Sequence, residues 1–166
     1  AGKVKLKSLP MNMMEAFLEG TQTKMKGALN GELAVQGTAD KPVVNGSLSF
    51  DKAHIYSNVY GVDLTMDTTT VSIHNSVLEL KDFALTAVDG SPLKMSGIIN
   101  MERPDAMFLN LDMIAKKFPI IDTKRNRESL VYGKVLTNFA ANIYGTPDKL
   151  DVRGLLTVCL LYTSDA

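Results

Sequence analysis

The sequence predicts an all-β fold built on antiparallel sheet, with one short helix near the N-terminus. Three observations predict it. Apolar and polar residues alternate with period two over most of the chain, as in strands with one dry and one wet face. Parallel strands, buried on both faces, read instead as continuous apolar runs, so the sheet is antiparallel. Turn-forming dipeptides punctuate the alternation, and helical signal is confined to one stretch.

The elements follow in order. Val4 and Leu6 alternate with Lys3, Lys5 and Lys7. Asn12–Leu18 reads as two helical turns: Asn12 caps, Glu15 completes a capping box, and Gly20 stops the helix. Met14, Phe17 and Leu18 would cover apolar surface. Leu33 and Val35 lie between Glu32 and Gln36, and Val44, Gly46, Leu48 and Phe50 alternate with Asn45, Ser47 and Ser49. Val62, Leu64 and Met66 form the next run, followed by Val71 with Ile73 and by Leu78 with Leu80. Phe83 and Leu85 have the opposite parity, so one extra residue near Lys81-Asp82, a bulge or tight turn, is needed to restore the facing.

Leu93, Met95, Gly97 and Ile99 continue the alternation, as do Met107, Leu109, Leu111 and Met113. Lys116–Glu128, with Pro119 and the charges Lys124, Arg125, Arg127 and Glu128, reads as a solvated loop. Leu150, Val152, Gly154 and Leu156 form the last run. Asn30-Gly31, Asn45-Gly46 and Asp89-Gly90 favour turns or bulges. The last joins Phe83–Val88 to Leu93–Asn100 as a hairpin, whereas Gly46 marks a bulge or bend within a strand.

Such strands raise a packing problem. About ten of them present an apolar face, and one short helix is available to cover it; large exposed apolar patches need a reason. A second sheet, closure into a barrel, or a curved sheet sheltering an apolar ligand would each supply one.

Gly37–Leu48 also aligns with Gly145–Leu156 without gaps, at an offset of 108 residues. Both segments read Gly-Thr, two variable positions, a short turn, then an apolar residue, a Gly and a Leu two places on. Repeated modules stacked along one axis would produce this. The last eight residues, Cys159–Ala166, match the in-frame translation of a transposase-type sequencing adapter. Residues 1–158 are therefore read as a fragment of a longer protein and 159–166 as an adapter-derived tail left out of the fold reasoning, the alternative being a short apolar strand over Val158–Tyr162.

Composition narrows the function. Eighteen basic residues balance 18 acidic ones, which argues against nucleic-acid binding. No apolar run reaches the roughly 18 residues of a membrane-spanning helix, and Ala1–Pro10 lacks the apolar core of a signal peptide. The one Cys lies in the tail. His54 and His74 sit singly on polar strand faces, Ser91 is a turn serine, and the acidic residues are scattered. No pattern points to a catalytic centre, a metal site or a cofactor. Nine Met residues suit either a core or an adaptable apolar surface.

Two stretches carry a family resemblance. One is Leu80-Lys81-Asp82-Phe83-Ala84-Leu85 leading into Asp89-Gly90-Ser91-Pro92-Leu93-Lys94-Met95-Ser96-Gly97-Ile98-Ile99. The other is Phe118-Pro119-Ile120-Ile121-Asp122-Thr123, then Tyr132-Gly133-Lys134-Val135 and Ile143-Tyr144-Gly145-Thr146. Together with Gly37–Leu48, these resemble the C-terminal conserved region of the TamB translocation and assembly module family, of the AsmA-like group. Asp122 departs from the Asn more usual before the Thr. The resemblance implies a periplasmic bridge module whose parent protein is anchored in the inner membrane of a Gram-negative-type bacterium. It implies a curved antiparallel sheet of the β-taco or repeating β-groove kind, with an apolar groove for phospholipid transport between inner and outer membranes and for outer-membrane biogenesis. A scaffold for outer-membrane protein assembly, pairing strands with a BamA- or TamA-like outer-membrane partner, is the alternative. No enzymatic activity is implied.

The physics of a groove agrees. Exposing an acyl chain of about 16 methylenes to water costs on the order of 13 kcal/mol, which an apolar floor removes along its length. Strands about 4.8 Å apart make about ten of them span roughly 50 Å. The expected lipid-lining residues are Leu33, Val35, Val44, Leu48, Phe50, Val62, Leu64, Met66, Leu93, Met95, Ile99, Met107, Leu109, Leu111, Met113, Val135, Phe139 and Ile143, with Val71, Ile73, Val152 and Leu156 as further candidates. The competing expectation for the same residues is the packed core of a closed β-sandwich.

Overall fold

A computed structural model describes residues 1–18, 23–57, 61–66, 69–87, 92–123 and 133–162. The chain forms one antiparallel sheet. Its strands are β1 (Gly2–Pro10), β2 (Thr23–Gly37), β3 (Pro42–Ser57), β4 (Val62–Met66), β5 (Thr70–His74), β6 (Val77–Ala87), β7 (Pro92–Asn100), β8 (Phe108–Thr123), β9 (Gly133–Thr146) and β10 (Lys149–Tyr162). Each strand pairs with its sequence neighbours, save where β4 and β5 share one place between β3 and β6. Ala53 pairs with Met66 and Ser49 with Thr70, so three residues lie between the pairs on each side. The register is kept across the gap, making β4 and β5 two halves of one interrupted strand. This meander keeps every connection short, as the local alternation requires.

Bulges recur on every second strand position. Ser8 in β1, Lys52 in β3, Asp82 in β6 and Lys117 in β8 have φ of 51, 48, 47 and 49°, and a register shift marks each place. Three of them direct the backbone N–H at a side chain on the adjoining strand: Ser8 to Asn30 Oδ1 at 2.8 Å, Asp82 to Ser96 Oγ at 3.0 Å and Lys117 to Asn138 Oδ1 at 2.8 Å. The left-handed backbone costs such residues about 1–2 kcal/mol, and the side-chain acceptor offsets part of that by satisfying a donor the ladder has lost. A bulge bends its strand and increases its twist. It also lets apolar residues three apart share a face, as Leu80 and Phe83 do.

The sheet is consequently curled. β4 comes within 8 Å (Cα–Cα) of β8, although β6 and β7 stand between them in the pairing order; in a flat sheet three spacings would hold them about 14 Å apart. The main core lies inside this curl. Val71, Leu80, Phe83, Leu85, Ala87, Leu93, Leu111, Ala115 and Phe118 are its buried members. Phe50 meets Phe83 edge-on at 5.7 Å between ring centroids, and Phe118 meets Phe139 at 5.9 Å. A smaller cluster of Met11, Met25, Leu29 and Ala53 adjoins it.

Several expectations need correcting. The short helix is a 3-10 helix, Met11–Leu18. Glu15 does not close a capping box: its Oε1 accepts the Met25 N–H of β2 at 2.8 Å, and its Oε2 lies 3.5 Å from Lys24 Nζ. Met11 covers the apolar surface and is 1% exposed, whereas Met14 is exposed. The side chains of Phe17 and Leu18, and Gly20, lie outside the described residues. Lys116–Thr123 is strand, continuous with β8. Pro119 is buried there, beside register shifts that relieve it of a ladder donor. Residues 124–128 lie outside the described residues. Asn30-Gly31 and Asn45-Gly46 make no turn; both pair regularly between β2 and β3, while Asn30 stands opposite Lys7 and Ser8 at the β1 bulge. Gly46 instead permits close approach, since a Cβ there would stand 2.0 Å from the Glu32 carbonyl oxygen. Cys159–Tyr162 continue β10, with a register shift between Val158 and Leu160. An open edge accepts any segment able to extend.

Other expectations meet their counterparts. The parity slip at Lys81-Asp82 is the bulge at Asp82. β6 and β7 form the hairpin joined by Asp89-Gly90, though the turn itself lies outside the described residues. The repeat extends to structure. Gly37 pairs with Pro42 and Gly145 with Leu150, and Leu33 opposes Gly46 as Ala141 opposes Gly154. The offset of 108 thus relates the hairpin β2–β3 to the hairpin β9–β10.

Candidate functional site

Strand register sorts the apolar residues into rows across the inner face. One row runs Val4, Leu33, Gly46, Ile73, Leu78, Ile99, Leu109, Gly145, Leu150. The next holds Leu6, Gly31, Leu48 and Val71 on one side and Leu80, Gly97, Leu111, Ile143 and Val152 on the other. A third runs Phe83, Met95, Met113, Ala141, Gly154, and a fourth Met66, Leu85, Leu93, Ala115, Phe139, Leu156. Period-two alternation on each strand, carried in register from one to the next, makes this face apolar throughout.

Curvature then divides the expected lining residues. Leu93 and Leu111 are buried in the core, each 7% exposed. Leu48, Phe50, Leu64, Met66, Met95, Ile99, Leu109, Met113 and Phe139 pack against it. These residues meet one another inside the curl, and the middle of the face is filled by its own side chains. Leu33, Val35, Val44, Val62, Val135 and Ile143 are half-buried and stand outside both clusters. Met107 precedes β8 and belongs to no strand. Val71 and Ile73 are buried, whereas Val152 and Leu156 are 62% and 61% exposed.

Sequence reasoning missed part of the core. Phe118 was placed in a loop, and Met11 fell just before the helix cap. Phe83 and Leu85 share the inner face once the bulge expected near Lys81-Asp82 is allowed for, and Ala115 continues the parity of Leu111 and Met113; the three-residue spacing of Ala115/Phe118 is the signal that could have found Phe118.

Clefts open both at the margins and across the middle of the sheet. One of about 610 Å³ is lined by Ala39, Asp40, Lys41, Arg103, Pro104 and Asp105. Another of about 490 Å³ crosses β6 to β10 and mixes Lys94, Asp112, Asn142 and Arg153 with the apolar Met113, Ile114 and Ala141. There Asn142 Nδ2 donates to Asn110 Oδ1 at 3.0 Å and to Asp112 Oδ1 at 2.9 Å. A third, of about 420 Å³, brings Val4, Leu33 and Gly46 together with Lys3, Lys5 and Glu32 at the β1 margin.

Electrostatics here are mild. His54 Nδ1 lies 3.2 Å from Asp63 Oδ1, with both side chains more than a third exposed. The Glu15 carboxyl is held below its ordinary range, chiefly by the Met25 N–H and further by Lys24. Among the described residues no three His, Cys, Asp or Glu side chains gather as metal ligands, and no helix is long and apolar enough to cross a membrane. The arrangement can offer apolar surface and free backbone edges. No protein-family model, curated protein or solved structure matches this chain.

Proposed function

We propose that this chain is a segment of a periplasmic bridge of the TamB-like, AsmA-like kind, sheltering phospholipid acyl chains on the inner face of its curled sheet between inner and outer membranes. Its parent would be anchored in the inner membrane and would serve outer-membrane biogenesis. The observation that carries this reading is the inner face itself. It is apolar across every strand, and at β10 it is left uncovered, with Val152 and Leu156 more than half exposed. An acyl chain laid along this margin would exchange water for aliphatic contact at about 0.8 kcal/mol per methylene. With the middle filled, the proposed lipid path runs along the margin formed by Ile143, Leu150, Val152 and Leu156. The core residues Leu93 and Leu111 serve as its support.

The test is photo-crosslinking in the bacterial envelope, with the probe at Val152 or Leu156 on the inner face and at Ile114 as a control. Ile114 pairs with Ala140 and not with an inner-row residue, and it is 54% exposed. Phospholipid adducts at the two inner positions and few at Ile114 are expected. Equal labelling at all three would mean unspecific greasiness and would reject the groove.

A second reading, strand pairing with a BamA- or TamA-like partner during protein assembly, is favoured by the two sheet edges. β1 and β10 each pair on one side only, and such edges capture strands. Val152→Pro removes an edge N–H. It is expected to abolish partner capture while lipid adducts at Leu156 persist.

A further inference from the structure

Among the described residues the only helix is the 3-10 helix Met11–Leu18, between β1 and β2, and it sits on an apolar hollow. Between Met25 and Leu29, β2 carries Gly27 at a register shift. β3 adds Ala53 to the same cluster. Glycine and alanine leave space there. Pro10 pairs with Ala28, which brings Met11 level with Gly27, and Met11 fills the space; it and Ala53 are each 1% exposed. Leu48, Phe50, Ile55 and Met66 pack against this cluster and against the main core, so the hollow is continuous with the interior of the curl. Four residues on, Glu15 Oε1 accepts the Met25 N–H at 2.8 Å, and Oε2 lies 3.5 Å from Lys24 Nζ.

Two properties set this contact apart from ordinary packing. A 3-10 run of eight residues is long for a form whose hydrogen bonds are poorly aligned, so the helix is held by what its side chains touch more than by its own ladder. Those side chains also have the plan of an anionic amphiphile. Methionine is unbranched, flexible and apolar, the nearest counterpart among side chains to a length of acyl chain. About 8 Å further along the helix, at the 3-10 rise, stands a carboxylate held by a backbone N–H and an ammonium group, the partners an anionic head group would use. The Lys24 side chain is 58% exposed and can be reached from solvent.

We infer that the hollow at Met25, Leu29 and Ala53, with Lys24 and the Met25 N–H at its rim, binds an acyl chain bearing an anionic head, carboxylate or phosphate, and that the 3-10 helix occupies this site as a built-in competitor. An entering chain takes the place of the Met11 side chain, and its head takes the Met25 N–H and Lys24 from Glu15. This inference rests on the reading of the inner face as an acyl shelter and adds to it a self-gated site between β2 and β3, apart from the β10 margin.

Binding of cis-parinarate, a fluorescent fatty acid, to the full chain tests it. Glu15→Ala frees both head-group partners and Met11→Ala empties the hollow. Each is expected to tighten binding several-fold, while Met13→Ala, at an exposed position, leaves it unchanged. Saturating the unmodified chain with the probe is expected to move the Met11 methyl resonance to its solvent position and to shift the Met25 amide with it. Lys24→Met is expected to cancel the preference for cis-parinarate over its methyl ester. Displacement of the probe by tetradecanoate or by monomeric dihexanoyl phosphatidylglycerol supports the inference and tells a fatty acid from a phospholipid. Displacement by uncharged dodecyl maltoside alone overturns it. Unchanged affinity in both Glu15→Ala and Met11→Ala, a Met11 methyl that stays at its buried position in the saturated chain, a preference that survives Lys24→Met, or no binding at all overturns it equally. Should Met11→Ala lose its far-ultraviolet dichroism, Glu15→Ala alone decides. Lipid adducts at Val152 and Leu156 are scored on another part of the sheet, so the groove reading stands or falls separately.

Discussion

The closed middle of the sheet and its open margin at β10 are built from the same alphabet. Leu80, Gly97 and Leu111 form one row with Ile143 and Val152, yet Leu111 is 7% exposed and Val152 62%. Alternation puts each residue on the inner face; what stands opposite decides whether that face is dry. In the middle, the approach of β4 to β8 folds the face onto itself. At β10, among the described residues, the inner face stays exposed. The difference teaches that one apolar row can be core at one end and binding surface at the other, with no change of chemistry.

The contrast can be broken by mutation, most severely in the middle. Leu111→Ala is expected to cost about 2–5 kcal/mol, through lost burial and the cavity left behind. Val152→Ala is expected to stay within about 0.5 kcal/mol. Urea denaturation of both variants measures the gap, and equal effects would mean that the margin is covered after all. Gly97→Ala should follow at about 1–3 kcal/mol: φ is +143° and a Cβ would stand 2.1 Å from the Asn110 carbonyl oxygen. Gly2→Ala, where a Cβ meets nothing within 4 Å, provides the neutral reference in the same assay.

The bulges sharpen the comparison, since they produce the curl. Asn138→Ala deprives Lys117 of its acceptor and should lower stability by about 0.5–1.5 kcal/mol. Faster exchange of the Lys117 amide would localise the effect; unchanged exchange would show that the bulge holds without it. The smallest expected effect concerns Glu15. Its pKa is lowered in the folded chain, so its contribution is complete above the unfolded value of about 4.3 and disappears as pH falls through the folded one. The Met25 amide shift should therefore titrate below the ordinary glutamate range and cease to do so in Glu15→Gln. A titration persisting in that variant would assign it to another group.

By itself, the sequence determined the fold class, the antiparallel pairing of neighbours, the bulge at Asp82 and the relation between the hairpins at Gly37 and Gly145. Each is a local property, written in alternation, parity and glycine placement over a few residues. It could not show that Phe118 is core, because Pro119 and the nearby lysines read as loop when the neighbouring β9 is unknown. Nor could it separate Leu93 and Leu111, which are enclosed, from Val152 and Leu156, which are not. Burial is a property of the neighbours, and only the curl that brings β4 to β8 decided which residues of one apolar face would meet each other and which would be left for something else.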